Sequence, residues 1–144
     1  MTVSVDELRG VLESYLNEHF GAYHVDDEGD FFIEYESARV FVCPRTWSGE
    51  GQSHTVVQLF SVTNVDVPVT DELTRFLATQ NLNLLFGHFA LRDDQVWFGH
   101  TLLGDFLDAD ELVTALSTVA RTANRYDEEI KERFGGRLYT EAAP

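Results

Sequence analysis

Cysteine, lysine and proline are scarce in this chain of 144 residues. Cys43 is the only cysteine, so neither an intramolecular disulfide nor a cysteine-only zinc site can form. Lys131 is the only lysine, and Lys and Arg together number 10 against 25 Asp and Glu, a formal net charge of −15. Nucleic acids and anionic membrane surfaces are gripped by clustered Lys and Arg. The scattered arginines here exclude both as expected partners, whereas an acidic surface would attract a basic client segment. No apolar run approaches bilayer-spanning length. The N-terminus shows no basic stretch leading into an apolar one, so a cytoplasmic location is the expectation. Glycine patterns that carry chemistry are missing too: there is no Gly-x-Ser-x-Gly, no Walker lysine and no dinucleotide-binding glycine set.

What is present is the punctuation of a small mixed fold. Ser4 and Glu7 have the spacing of a capping box, and Val5, Leu8, Val11, Leu12, Tyr15 and Leu16 recur at helical intervals up to Gly21. The turn Asp26-Asp27-Glu28-Gly29-Asp30 joins a short strand at Tyr23–Val25 to a firmer one at Phe31–Glu36. Arg39–Trp47 and Ser53–Thr63 are rich in Val, Phe and Thr and read as a hairpin closed by Ser48–Gln52. On the second of these strands Val57 and Leu59 point one way and Val56, Phe60 and Val62 the other. Both faces are therefore at least partly covered, by the protein's own helices or by a partner. Thr70 caps a helix reaching about Leu85, with Asp71 and Glu72 suited to its dipole. His88–Leu91 and Gln95–Leu103 form a second hairpin around Arg92-Asp93-Asp94. Asp108 and Glu111 open a last helix through Leu112, Leu116, Val119, Ala123, Tyr126 and Ile130 to Gly135-Gly136. The order α-β-β-β-α-β-β-α predicts an α+β fold, an antiparallel sheet with helices packed mainly on one face. Residues 1–136 read as one domain and 137–144 as a flexible tail.

No stretch is an evident catalytic site. The histidines lack the His-Glu-x-x-His pattern. His88 and His100 across the second hairpin, with Cys43 from another strand, are a conceivable three-ligand set, though ordinary histidines are the simpler reading. The acidic turn around Gly29 misses the spacing of a calcium loop and reads as solvated, as does Asp93-Asp94. Cys43 precedes Pro44 in a strand without an adjacent base and reads as a small buried hydrophobe. No metal and no cofactor are expected.

Three stretches, in order, carry a family resemblance: Asp27-Glu28-Gly29-Asp30-Phe31-Phe32-Ile33, Leu82-Asn83-Leu84-Leu85-Phe86-Gly87-His88-Phe89, and the closing Arg133-Phe134-Gly135-Gly136. The ordered set resembles the domain shared by type III secretion chaperones and the YbjN family, closest to the actinobacterial YbjN-like peptide-binding chaperones. The resemblance implies a non-enzymatic protein that holds a peptide segment of a partner. It also implies dimerisation, since secretion chaperones of this fold are commonly homodimers. The family also carries the label of sensory transduction regulator.

Physical reasoning adds where a client would sit. An antiparallel sheet with helices on one side leaves its other face or an edge available to an extended peptide. Trp47, Phe60, Phe89 and Trp97 are strand aromatics that could anchor it, with ordinary core as the alternative for each. Trp97 is the best exposed candidate, because its own face has only Gly99 and Thr101 for neighbours. Two other readings stay open: a self-associating regulatory module, and an enzyme with an unrecognised site, which would show a deep polar pocket with perturbed titratable groups.

Overall fold

The structure is a computed structural model describing residues 3–143. The first helix, α1 (Val5–His19), begins at Ser4, whose side chain accepts from Glu7 N–H while the Glu7 side chain accepts from Ser4 N–H. Leu8, Leu12 and Leu16 fall on one stripe and are fully buried, worth about 1.5–3 kcal/mol each. Strands β1 (His24–Val25), β2 (Phe31–Tyr35), β3 (Ala38–Gly49) and β4 (Gln52–Val65) follow. Then come α2 (Asp71–Asn83), the hairpin β5 (His88–Arg92) and β6 (Gln95–Leu103), and the long α3 (Ala109–Phe134). Thr70 and Asp108 cap α2 and α3 by accepting the N–H groups of Leu73 and Glu111.

All pairings are antiparallel, in the order β1-β2-β3-β4-β6-β5. The β3–β4 hairpin is longer than its sequence suggests. It turns at Glu50 and Gly51, both in the left-handed region, which matches the twist of the flanking strands. Pro44 is tolerated in the middle of β3 because β2 pairs no further along than Val42, so β3 is an edge strand there and one missing N–H breaks no ladder.

The three long helices pack against a single face. Phe31 and Ile33 of β2, Val40 and Val42 of β3, Val57 and Leu59 of β4, and Val96 and Phe98 of β6 meet the apolar stripes of α1, α2 and α3 in one buried cluster. The expected α+β architecture and element order are those of the structure, with short additional elements. α2 stops two residues before the expected Leu85: Leu84 is already extended, and the Asn81 side chain clamps the backbone N–H and C=O of Phe89 at 2.6 and 3.1 Å.

The stretch read as a flexible tail forms regular structure up to Ala142. Gly135 and Gly136, both at positive φ, reverse the chain. Residues Arg137–Leu138 (β7) then pair with Asn64 and Val65 of β4, and Tyr139–Ala142 forms one turn of helix, α4. Thr140 Oγ1 donates to the Ser37 carbonyl and Lys131 pairs with Glu141. Residues 1, 2 and 144 lie outside the described residues. Among the described residues no helix is long and apolar enough to cross a membrane.

Candidate functional site

Residues opposite one another in antiparallel strands point to the same side of the sheet. The register therefore defines the side that the three long helices leave uncovered. His24 of β1 faces Phe32 of β2, Phe32 faces Phe41 of β3, Phe41 faces Phe60 of β4, and Phe60 faces Gly99 of β6, with Trp97 two residues along. The rings form one row across five strands. Successive centroids lie 4.7 Å (His24–Phe32), 5.6 Å (Phe32–Phe41), 5.1 Å (Phe41–Phe60) and 4.8 Å (Phe60–Trp97) apart. Spacings of this kind give each pair about 0.5–1.5 kcal/mol beyond area burial. Two guanidinium groups flank the row: Arg39 lies 4.8 Å over Phe32 and Arg92 5.4 Å over Trp97. The four larger rings are only half-buried, so the row is a formed surface whose outer side remains available.

At its Trp97 end the row borders a depression of about 520 Å³ lined by Phe60, Trp97, Gly99, Ala90, His88, Gln58 and Thr101, among others. Gly99 creates it. A Cβ there would come within 3.1 Å of the Leu59 carbonyl oxygen and 3.4 Å of Phe60 Cβ. The absent side chain brings β6 close to β4 and leaves a notch between stacked rings on one side and Ala90 on the other. Over the middle of the row the protein supplies its own cover: Tyr139 of α4 meets Phe41 edge-on at 6.5 Å and lies under Arg39 at 5.9 Å.

The four anchors expected from sequence are not equivalent. Phe60 and Trp97 stack at the centre of this face. Trp97 lies on the side that alternation indicates, braced by its Nε1–H to Gln95 Oε1 at 2.9 Å. Trp47 is on the same side but at the far end of the hairpin, half exposed and stacked on His54 at 5.9 Å. Phe89 does not join them. It pairs in register with Phe98, packs against Phe98 and Tyr126 and is 5% exposed; it is core, because the face occupied by Phe98 is the one the helices cover. Phe32 and Phe41, which complete the row, were not singled out from sequence. Their alternation against Phe31, Ile33, Val40 and Val42 carries the signal, but register is needed to join them.

His88, His100 and Cys43 are not brought together as a ligand set. His88 opposes Gly99, while the His100 ring tilts onto Phe86 at 5.5 Å, with its pKa lowered by burial and by His88. Cys43 opposes Gln58, is 1% exposed and has its thiol pushed up to about 12 by burial and the charge of Asp30. Among the described residues no group of three or more His, Cys, Asp and Glu side chains is arranged to hold a metal. The acidic turn is closed on itself. Asp26 accepts the N–H groups of Glu28 and Asp30, and Asp30 is held by Arg45 through two bonds of 2.7 Å. Asp105 is pulled below the usual carboxylate range by the Val3 N–H, with His54 and Thr55 assisting, in the loop after β6. Asp127, raised to about 6 chiefly by burial, lies within α3.

Comparison with known proteins follows the same lines. The model of the family described as T3SS (YopN, CesT) and YbjN peptide-binding chaperone 1, TY-Chap1, matches residues 6–142. Among solved structures, the ExsC–ExsE complex superposes with a TM-score of 0.60 at 17% identity, covering 89% of this chain and 96% of that one. The Yersinia pestis type III secretion chaperone SycH, in complex with a stable fragment of YscM2, gives a TM-score of 0.56 at 16% identity, covering 82% and 98%. At such identities the likeness is one of fold. No curated protein sequence matches the chain.

Proposed function

The chain belongs to the TY-Chap1 family of peptide-binding chaperones, and from that premise we propose that it is a non-enzymatic chaperone or adaptor. It holds a segment of a client polypeptide on the face of its sheet that the three long helices leave uncovered. The observation that carries this reading is the row His24–Phe32–Phe41–Phe60–Trp97 with the notch at Gly99. A row of preordered rings offers apolar area at little entropic cost, since stacking already fixes each side chain before a client arrives. The client lays apolar side chains across the rings, with one seated in the notch beside Trp97. Backbone pairing at the edge of β5 beyond Phe89, whose N–H and C=O the Asn81 side chain already takes, would add to this contact. A reaction is not part of the proposal. Cys43, Asp105 and Asp127, three of the groups whose pKa is shifted, sit in separate places, whereas acid–base or nucleophilic chemistry requires such groups within reach of one another.

A photo-crosslinking residue placed at Phe60 or Trp97, in the protein's own host, tests the proposal. The expected result is an adduct with a second polypeptide from both positions and none from Glu13, exposed on α1. Adducts only between two copies of this chain would assign the face to a homodimer, as the self-associating regulatory reading requires. Absence of any adduct from either position would remove the aromatic face as a binding site.

A further inference from the structure

A second apolar surface lies away from the aromatic row, and nothing in the proposed function uses it. The connection between α2 and β5 exposes Leu85 (90%) and Phe86, and the connection between β6 and α3 exposes Phe106 (80%). The chain entering β5 lies against β6, with the Phe86 ring tilted onto His100 at 5.5 Å, and Phe106 stands four residues before Asp110, which lines the cleft at Phe86. Phe86 shares with Leu102 a cleft of about 410 Å³ whose other wall is Asp110, Glu111 and Thr114 of α3. Monomeric proteins seldom leave neighbouring large apolar side chains in water without a use for them.

Phe106 shows that this exposure is imposed by the fold. It is a non-glycine residue at φ 65°, a conformation disfavoured for a bulky side chain. Its neighbours hold it there. Asp105 is tied inward by Val3 N–H and Thr55 Oγ1, and Leu107 is buried. With both flanking side chains turned in, the ring between them is pushed out. Strain at an exposed aromatic residue points to use.

The surroundings specify the partner's charge. Between Arg75 and Arg121 the only Lys or Arg is Arg92, at the end of β5 remote from Phe86, and His100, whose ring tilts onto Phe86, has its pKa lowered by burial. Bordering the cleft are Asp110 and Glu111, with Asp108 beside them. Asp108 crowds Glu111 and raises its pKa, a repulsion that an incoming cation relieves. A second copy of this chain fits poorly. A two-fold contact brings like surfaces together, setting these carboxylates against their own counterparts in a protein of net charge −15.

We propose that this end of the molecule docks a basic amphipathic polypeptide segment. Its apolar side chains enter the Phe86–Leu102 cleft and cover Leu85 and Phe106, and its Lys or Arg side chains pair with Asp110 and Glu111.

The test uses the full chain and two fluorescent synthetic peptides of equal length, one amphipathic peptide of leucine and lysine and its leucine and glutamate counterpart, read by anisotropy. The expected result is binding of the lysine peptide alone, weakened roughly tenfold or more in L85S/F106S, as removal of central apolar anchors does. D110N/E111Q is expected to bind more weakly and with a shallower salt dependence than E13Q/E18Q, which changes net charge equally on α1. Equal binding of both peptides would overturn the proposal, as would wild-type affinity in L85S/F106S or identical behaviour of the two charge variants. Light scattering that shows a dimer of the wild type dissolved by L85S/F106S would also overturn it, by giving the patch to a second copy.

Discussion

Replacing Asp127 by Asn separates one buried proton from the rest of a very acidic protein. Asp127 projects from α3 and is 1% exposed; its Oδ1 has no partner. Its Oδ2 lies 2.7 Å from Ser37 Oγ, which is also 2.7 Å from Asn124 Oδ1. Ser37 has a single hydroxyl proton for two acceptors. A protonated Asp127 resolves the shortage by donating to Ser37 Oγ, which frees the serine proton for Asn124. Burial, the largest influence, accordingly raises the carboxyl from 3.8 to about 6, with a smaller push from Glu128 against the lowering effect of Ser37. A folded-state pKa above the unfolded one means the native state binds the proton more tightly. The stability this supplies is complete below about pH 4 and is lost as pH rises through about 6. A shift of about two units corresponds to about 3 kcal/mol. Asn keeps the shape and never ionises. Urea unfolding of wild type and D127N between about pH 4 and pH 8 should therefore show the variant's relative stability rising by about 3 kcal/mol up to about pH 6 and level beyond it. The other carboxylates titrate in both proteins and cancel in the difference. A difference that does not change with pH would refute the assignment of the proton to Asp127.

Two further outcomes follow from the core and its margins. Cys43, buried and with its thiol pushed up to about 12, should resist iodoacetamide in the native protein and react fully once unfolded in urea; rapid native alkylation would contradict its placement. Asn81→Ala strands the backbone N–H and C=O of Phe89 that the amide clamps. A loss of about 1–3 kcal/mol is expected, together with faster hydrogen exchange at the Phe89 amide; unchanged exchange there would show that the clamp is dispensable.

How far the sequence discloses the molecule depends on the range of the interaction concerned. Caps act over three residues, so Ser4 with Glu7, Thr70, and Asp108 mark their helix starts correctly. The end of α2 is misjudged because a side-chain bond from Asn81 to the backbone of Phe89 leaves no periodic trace. Alternation places Trp97 and Phe98 on opposite faces, as observed, but only register places Phe89 beside Phe98 and so in the core. The same limit hides the aromatic row. Phe32 and Phe41 are legible as strand residues, and their union with Phe60 depends on three strands aligning. The double glycine after α3 reads as an ending. That β7 then takes the place β3 has vacated beside β4 is a tertiary fact, fixed by Leu138 finding a buried site.

The edges of the sheet bear on how a client would be held. β1 offers two residues and β5 five, while the outer half of β3 carries Pro44 and Arg45 at its unpaired margin. Short, interrupted edges guard against indiscriminate strand pairing, and they also limit the ladder bonds available to a client. The row of rings spans five strands without interruption. In the proposed complex, side chains laid across the face therefore supply more of the affinity than backbone pairing at the edge. Selectivity then falls on the spacing of a client's apolar residues, since ring faces accept many side chains and only the notch at Gly99 has a size to match. Tyr139 already meets the ring of Phe41 in the middle of the row, so the stretch from Phe60 to Trp97 is the part bordering the notch that the C-terminal turn leaves clear. A client that seats one side chain in the notch and the next on Phe60 meets the proposed face without displacing the protein's own C-terminal turn.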